Sequence, residues 1–184
     1  MKILGLDPGT ATTGYGLVEL VGEQPVMRDY GCILTPKEHA PAVRLLDIHH
    51  QLIGVLGQTK PDHVIVEKLF FATNTRTAMA VSEARGVILM TLCKLEMPFT
   101  ELTPMQVKQR VVGNGRADKK MVQASVVELL SLLETPRPDD AADALALAIC
   151  GIWIHQGLAD NTVGEERKKM PVAHVAGQIA IAKP

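Results

Sequence analysis

Four acidic residues lie directly beside apolar segments of this 184-residue chain, and their placement limits how it can fold. Asp7 and Glu67 each end a short apolar run, while Asp140 and Asp143 open a segment rich in alanine and leucine. Charged side chains are rarely buried unless they are paired or bind a metal ion. Carboxylates in these positions therefore indicate a site where they share a partner.

Apolar periodicity and turn signals predict the element order βββαβα, followed by a short strand and more helices. Strands are expected over residues 2–6, 15–20, 26–34, 63–66 and 99–102, and helices over about 41–56, 74–95, 104–112, 119–133 and 140–155. Short connections favour antiparallel pairing of the first three strands. The helix before the fourth strand implies a right-handed crossover into a parallel position. We therefore expect an α/β fold with a mixed sheet flanked by helices.

Helix starts are predicted from capping residues. Thr73 or Asn74 can cap the long helix, Thr103 the next one, and Asp139 or Asp140 the last. Residues 1–156 are expected to form one domain. The charge-mixed segment 157–184 lacks a clear period and is expected to be a flexible tail.

Composition indicates an ordinary globular protein, with 47% hydrophobic and 21% charged residues. Cys32, Cys93 and Cys150 lie far apart and lack CxxC spacing, which favours a reducing cytoplasm and argues against a zinc site. Asp7 comes too early for a signal peptide. The apolar run 144–154 is about half the ~20 residues that a membrane span requires. We expect a cytoplasmic protein without a membrane partner.

The spacing of the acids predicts that they meet. Asp7 and Glu67 follow strands inferred to be parallel, whose carboxyl ends border the usual ligand crevice of α/β sheets. Asp140 and Asp143 are three residues apart, so they share a helix face, and we expect them in the first turn, where the macrodipole favours negative charge. Alanines around them would let this helix approach the sheet closely. The prediction is one pocket that holds four carboxylates.

Such a pocket requires cations, because two like charges about 4 Å apart cost roughly 4 kcal/mol at an effective dielectric near 20. All-oxygen ligation favours Mg²⁺ or Mn²⁺. Two ions about 3.5–4 Å apart can activate water and stabilise a leaving oxygen in phosphodiester hydrolysis. Asp7, Glu67, Asp140 and Asp143 are thus predicted as metal ligands and catalytic residues, with two ions per subunit. Taken singly, each acid could instead be a turn residue, a salt-bridge partner or a helix cap.

Positive charge is concentrated between residues 104 and 120, although the whole chain carries a net charge of -1. The five basic residues there, set against Asp118, are Lys108, Arg110, Arg116, Lys119 and Lys120, a local net charge of +4. Phosphate contacts depend on such a local patch. This segment is therefore predicted to bind nucleic acid, the alternative being a solvated helical surface.

Several motifs together carry a family resemblance. They are Ile3-Leu4-Gly5-Leu6-Asp7-Pro8-Gly9-Thr10, Gly14-Tyr15-Gly16, Val66-Glu67 with Phe70, Gln106-Val107-Lys108-Gln109 through Val112-Gly113, and Asp140-Ala141-Ala142-Asp143-Ala144-Leu145-Ala146. In this order, over residues 1 to about 155, they resemble the RuvC family of bacterial Holliday junction resolvases. The resemblance implies a ribonuclease H-like fold, a homodimer, paired nicks across a four-way DNA junction, and the same four acids as metal ligands.

The resemblance also implies particular DNA contacts. Lys108 and Lys119 match family positions that contact DNA or support catalysis, and Lys119 is the better candidate for stabilising transition-state charge. By the same resemblance Phe70 is the exposed aromatic that stacks on a base, although whether Phe70 or Phe71 does so stays open. Arg76 is expected to contact phosphate. A branch-migration helicase complex is the implied partner, and the implied location is the bacterial nucleoid.

Two other functions fit parts of the sequence. Residues 4–10 with Gly14 also resemble the first phosphate loop of actin-like ATPases and sugar kinases, but those proteins need a second domain with another such loop. A non-catalytic scaffold for branched DNA would use the acids only as caps. ATP binding without nuclease activity would favour the first alternative. Junction binding that is unaffected by metal, with no nicking, would favour the second.

Overall fold

The computed structural model describes residues 1–69 and 75–158, with side chains from residue 78 onward in the second segment. Its elements are β1 Lys2–Asp7, β2 Thr12–Val21, β3 Gln24–Leu34, α1 Pro41–Thr59, β4 His63–Glu67, α2 Thr75–Lys94, β5 Phe99–Leu102, α3 Pro104–Val112, α4 Lys119–Leu129 and α5 Asp139–His155. The predicted element order is confirmed. The suggested caps of α2 and the tail from residue 159 lie outside the described residues.

The sheet has the strand order β3-β2-β1-β4-β5. β1, β2 and β3 pair antiparallel, because short turns connect them. β4 pairs parallel with β1, and β5 pairs parallel with β4, because helices cross between them. The predicted mixed sheet, three antiparallel strands followed by parallel ones, is confirmed.

Helices cover both faces of this sheet, so its central strands are apolar on both sides. Leu4 of β1 faces α1 and α2, where it packs in one core with Ile48 and Ile88. Its neighbour Ile3 faces the opposite side and packs in a second core with Leu145 of α5. α3 and α4 complete this second core. Among the described helices, none is long and apolar enough to cross a membrane.

α5 is the central helix of the second core, since every residue from Ala144 to Trp153 is buried. It lies so close to the sheet that strand glycines are required beneath it. A Cβ on Gly5 would come 1.9 Å from the Ala144 carbonyl oxygen, and one on Gly14 would come 2.1 Å from the Asp140 carbonyl oxygen. The close approach predicted from the alanines is thus reached through glycines of the facing strands.

The start of α5 differs from the prediction. Helical backbone begins at Asp139, and Pro138, whose side chain has no hydrogen-bonding group, holds the capping position. The prediction that Asp139 or Asp140 caps this helix was therefore wrong. Asp139 and Asp140 occupy the first turn, and Asp143 lies in the second turn instead of the first. The shared face of Asp140 and Asp143 is unaffected, because both are within the helix.

Other boundaries also shift. α4 ends at Leu129, short of the predicted residue 133, because Ser131 has a left-handed φ of 50°. β2 begins at Thr12 instead of residue 15, since its first residues pair with the end of β3, up to Leu34. The predicted start of α3 is confirmed, because Thr103 forms a reciprocal capping box with Gln106.

Candidate active site

Asp7 and Glu67 lie side by side because their strands are parallel neighbours in register. Leu6 is paired with Val66, so the next residue of each strand emerges at the same level of the sheet. The side chains of Asp7 and Glu67 share a hydrogen bond. A hydrogen bond between two carboxyl groups requires a proton on one of them. The metal-free pair is therefore expected to hold a proton at the carboxyl ends of the strands.

Burial and neighbouring acids explain why this proton is retained. Burial, followed by the negative charges of Glu67, Asp143 and Asp140, raises the pKa of Asp7 to about 9. Burial also raises the pKa of Glu67, although the hydrogen bond with Asp7 opposes that shift. The field of Asp140 and Asp143 thus reaches Asp7 across the interface between sheet and α5. The four predicted acids form one electrostatic cluster.

The turn after Asp7 is fixed by the hydroxyls of Thr10, which ends the first motif, and of Thr13, which no motif includes. The Thr13 hydroxyl, which is fully buried, donates to the Gly9 carbonyl at 2.7 Å. The Thr10 hydroxyl donates to the Ala80 carbonyl of α2 at 2.7 Å. These bonds anchor residues 8–13 to β2 and α2, which fixes the direction in which Asp7 leaves the sheet. A hydroxyl close after a Pro-Gly turn is the signal that could have identified them.

Lys119 lies beside Asp143, at the start of α4. Asp118 caps α4 by accepting from the Met121 amide at 2.9 Å, which makes Lys119 the first residue of the helix. The Lys119 ammonium lies 3.1 Å from Asp143 Oδ2 and 3.5 Å from Asp139 Oδ2. Asp139 was predicted only as a possible cap, so this contact adds a residue to the site.

The acid cluster fits a hard divalent cation in its chemistry, since its donors are carboxylate oxygens. Within residues 1–69 and 75–158, however, no three His, Cys, Asp or Glu side chains form a ready-made metal site. The side chains of Asp7 and Glu67 interact with each other, and Asp143 forms an ion pair with Lys119. An ion bound to the same oxygens would compete with these contacts. The assignment of the four acids as ligands stays a prediction.

A cavity of about 210 Å³ borders the acid cluster. Glu67 and Asp143 line it beside Lys108 and Lys119, and its apolar wall includes Val107. The charge of Lys108 lowers the pKa of Glu67, although burial dominates and the net shift is upward. The structure therefore brings two of the predicted DNA-binding lysines to the acids, and the cavity has room for part of a nucleotide.

The other predicted DNA contacts fall into three groups. Arg116 and Lys120 are exposed at the start of α4. Arg110 is only 9% exposed, because its position in α3 places it on the inner face, beside Val111. This burial argues against the predicted DNA contact of Arg110. Phe70 and the side chain of Arg76 lie outside the described residues, as does Phe71.

The close approach of Gly14 to α5 predicts a large effect of Gly14→Ala. Its Cβ would overlap the Asp140 carbonyl, so α5 must shift and carry Asp140 and Asp143 away from Asp7. We expect a loss of about 1–3 kcal/mol in the free energy of unfolding, measured in urea, as for other overpacked sites. Gly54→Ala is the matched control, because among the described atoms its Cβ would enter open space on α1. Unchanged stability in Gly14→Ala would contradict the packing.

Comparison with known sequences extends these observations. Residues 3–151 match the family described as crossover junction endodeoxyribonuclease RuvC. A relative of that description from Syntrophomonas wolfei is 51% identical over 150 residues, which cover 82% of this chain and 87% of the relative. The family match includes all four acids.

Two solved structures from Thermus thermophilus have the same fold. RuvC from that organism superposes with a TM-score of 0.78 at 32% identity, covering 86% of this chain and 98% of that one. The same protein in complex with Holliday junction substrate gives 0.76 at 30% identity, with the same coverage. The predicted ribonuclease H-like fold is confirmed. The chain belongs to the crossover junction endodeoxyribonuclease RuvC family.

Proposed function

We propose that this protein resolves Holliday junctions by metal-dependent phosphodiester hydrolysis. The observation that carries the proposal is the electrostatic cluster of Asp7, Glu67, Asp140 and Asp143 beside two lysines, in a chain of this family. The relative solved with a Holliday junction supports the substrate. The products are nicked duplexes with 5′-phosphates.

In this proposal the four acids hold Mg²⁺ or Mn²⁺, with two ions per subunit. When bound, such ions supply water activation and stabilisation of the leaving oxygen. The chain's own residues do the remaining work. Bound cations would favour the ionised forms of Asp7 and Glu67, so the shared proton of this pair would be released. Lys119 and Lys108, which line the cavity, donate to the phosphate.

DNA is held next to this centre by the surface at the start of α4. Arg116 and Lys120 are exposed there and contact phosphates outside the cavity. Phe70 stacks on a base at the junction centre, and Arg76 contacts backbone phosphate, both by family resemblance. These contacts are sequence-tolerant, as recognition of junction shape requires.

The proposal includes a homodimer, because a four-way junction needs two symmetric cuts and a twofold axis places two sites correctly. A branch-migration helicase complex is its partner by resemblance. The bacterial origin of the relatives supports a cytoplasmic, nucleoid-associated location. Residues 157–184 are proposed to be a tail outside the nuclease domain of residues 1–156.

The decisive experiment compares cleavage of a four-way junction with that of a linear duplex of the same sequence. Each substrate is incubated with Mg²⁺, with Mn²⁺ or with a chelator. We expect paired nicks in the junction with either metal, and intact DNA with the chelator. Equal cleavage of both substrates, or cleavage under chelation, would contradict the proposal.

Lys119→Ala is predicted to slow junction nicking by about tenfold to a hundredfold, because an ammonium is lost next to the reacting phosphate. Single-turnover rates separate this effect from binding, which gel shifts measure. Lys37→Ala is the control, since it removes an exposed lysine far from the acids in sequence and located before α1. An unchanged rate and affinity in Lys119→Ala would remove this residue from the site.

A further inference from the structure

The ammonium of Lys119 lies between two carboxylates of one helix. Asp143 is the nearer, at 3.1 Å, and its side chain is 27% exposed. Asp139 is at 3.5 Å and is 63% exposed. These acids are four residues apart on α5, so they lie one above the other on the same face. One lysine therefore has two alternative acceptors, an inner and an outer one.

The inner acceptor is the one that the proposed function requires for a cation. The Lys119 ammonium contacts Asp143 Oδ2, so a divalent ion that binds this oxygen displaces Lys119. Without a second acceptor, the displaced ammonium would be left facing a newly bound positive charge. Asp139 offers that acceptor without any movement of α5, because both contacts already lie within ion-pairing distance.

Asp139 is itself set apart from the acid cluster. The charges that raise the pKa of Asp7 come from Glu67, Asp143 and Asp140. Asp139 acts instead on Lys119 and Asp143. Its exposure and its position in the first turn place it at the rim of the site. These features distinguish Asp139 from the predicted ligands, although it is adjacent to one of them in sequence.

We propose that Asp139 is a positioning residue that receives the Lys119 ammonium when a divalent cation takes Asp143. This inference rests on the proposed function, because it requires a cation at Asp143. The exchange retains the ammonium at the edge of the cavity, where a DNA phosphate enters, and lowers its repulsion with the ion. Asp139 thus couples cation binding to the placement of Lys119.

A double-mutant cycle on Mn²⁺ affinity tests the exchange without DNA or activity. The dissociation constant of Mn²⁺ is measured by the electron paramagnetic resonance signal of the free ion. The proteins are the parent chain, Asp139→Asn, Lys119→Met and the double variant. Asp139→Asn is expected to weaken Mn²⁺ binding about threefold to fivefold in the parent, the range of a partly exposed ion pair. In the Lys119→Met background the same change is expected to have less than about a twofold effect.

The double-mutant cycle distinguishes an effect of Asp139 through Lys119 from a direct electrostatic effect of Asp139 on the bound ion. An equal loss of affinity in both backgrounds would overturn the proposal, because Asp139 would then act on the ion directly. Asp139→Glu should retain affinity within about twofold, since the longer carboxylate still reaches Lys119; a loss as large as that of Asp139→Asn would also overturn it. Junction nicking by the parent, assayed separately, reports on the nuclease function. If the parent nicks junctions but the cycle is additive, only the proposed role of Asp139 is rejected. If the parent neither nicks junctions nor binds Mn²⁺, the proposed function is rejected as well.

Discussion

Replacing Asp7 by Asn is expected to lower junction nicking by about two to four orders of magnitude while junction binding changes little. The negative charges of the other three acids all raise the pKa of Asp7, so its loss removes the centre of the proposed cation site. Cation chemistry contributes several kcal/mol to such reactions, and each 1.4 kcal/mol is about tenfold in rate. DNA affinity depends on lysine and arginine contacts elsewhere, which Asn leaves in place. Single-turnover nicking and gel shifts measure the two properties.

Asp47→Asn is the matched control for this result. Asp47 is also a partly buried aspartate, but it pairs with His39 near the start of α1. Its change to Asn should leave nicking at the parent rate. Equal nicking by the Asp7→Asn variant and the parent would refute the assignment of the site, and equal loss of binding and nicking would show that Asp7 supports DNA contact instead.

The second large effect is a fall in the stability of the metal-free protein as the pH rises. The pKa of Asp7 is raised from 3.8 to about 9 on folding, and those of Glu67 and Asp143 are raised as well. Between those pH values the folded chain therefore binds more protons than the unfolded chain. The free energy of unfolding must then decrease with pH, with a slope of up to about 1.4 kcal/mol per pH unit for each group that stays protonated.

Urea denaturation in a chelator at several pH values between 5 and 9 measures this slope. Asp7→Asn should have a smaller slope and a higher stability at pH 8, because the amide has no proton to lose. Excess Mg²⁺ should reduce the slope in the parent, since cations favour the ionised carboxylates. A parent stability that rises with pH in chelator would contradict the buried, proton-sharing pair.

Much of the fold follows from local patterns. Alternation of apolar residues and the turns at residues 8–11 and 22–23 determine the antiparallel hairpins, and these are properties of neighbouring residues. The helices over Pro41–Thr59 and Pro104–Val112 begin where proline and threonine predict. The C-terminal end of α4 and the cap of α5 were mispredicted, because a left-handed residue and a proline overrode the expected signals.

The positions of the four acids could be predicted from the sequence, but their protonation could not. Carboxylates against apolar strands stand out in any reading, and parallel pairing brings Asp7 and Glu67 to one sheet edge. The shared proton between them depends on burial and on charges from α5, which is more than seventy residues away. The second acceptor of Lys119 likewise depends on how α4 meets α5.

The chain's own sequence thus determined its strands, helices, acid positions and family, because these follow from local periodicity and short motifs. Only the tertiary structure shows that Arg110 is buried and that α5 packs closely against Gly5 and Gly14. It alone also shows that Lys119 contacts both Asp139 and Asp143. The physical reason is distance along the chain. Burial and charge interactions act between residues that only folding brings together, so no local pattern encodes them.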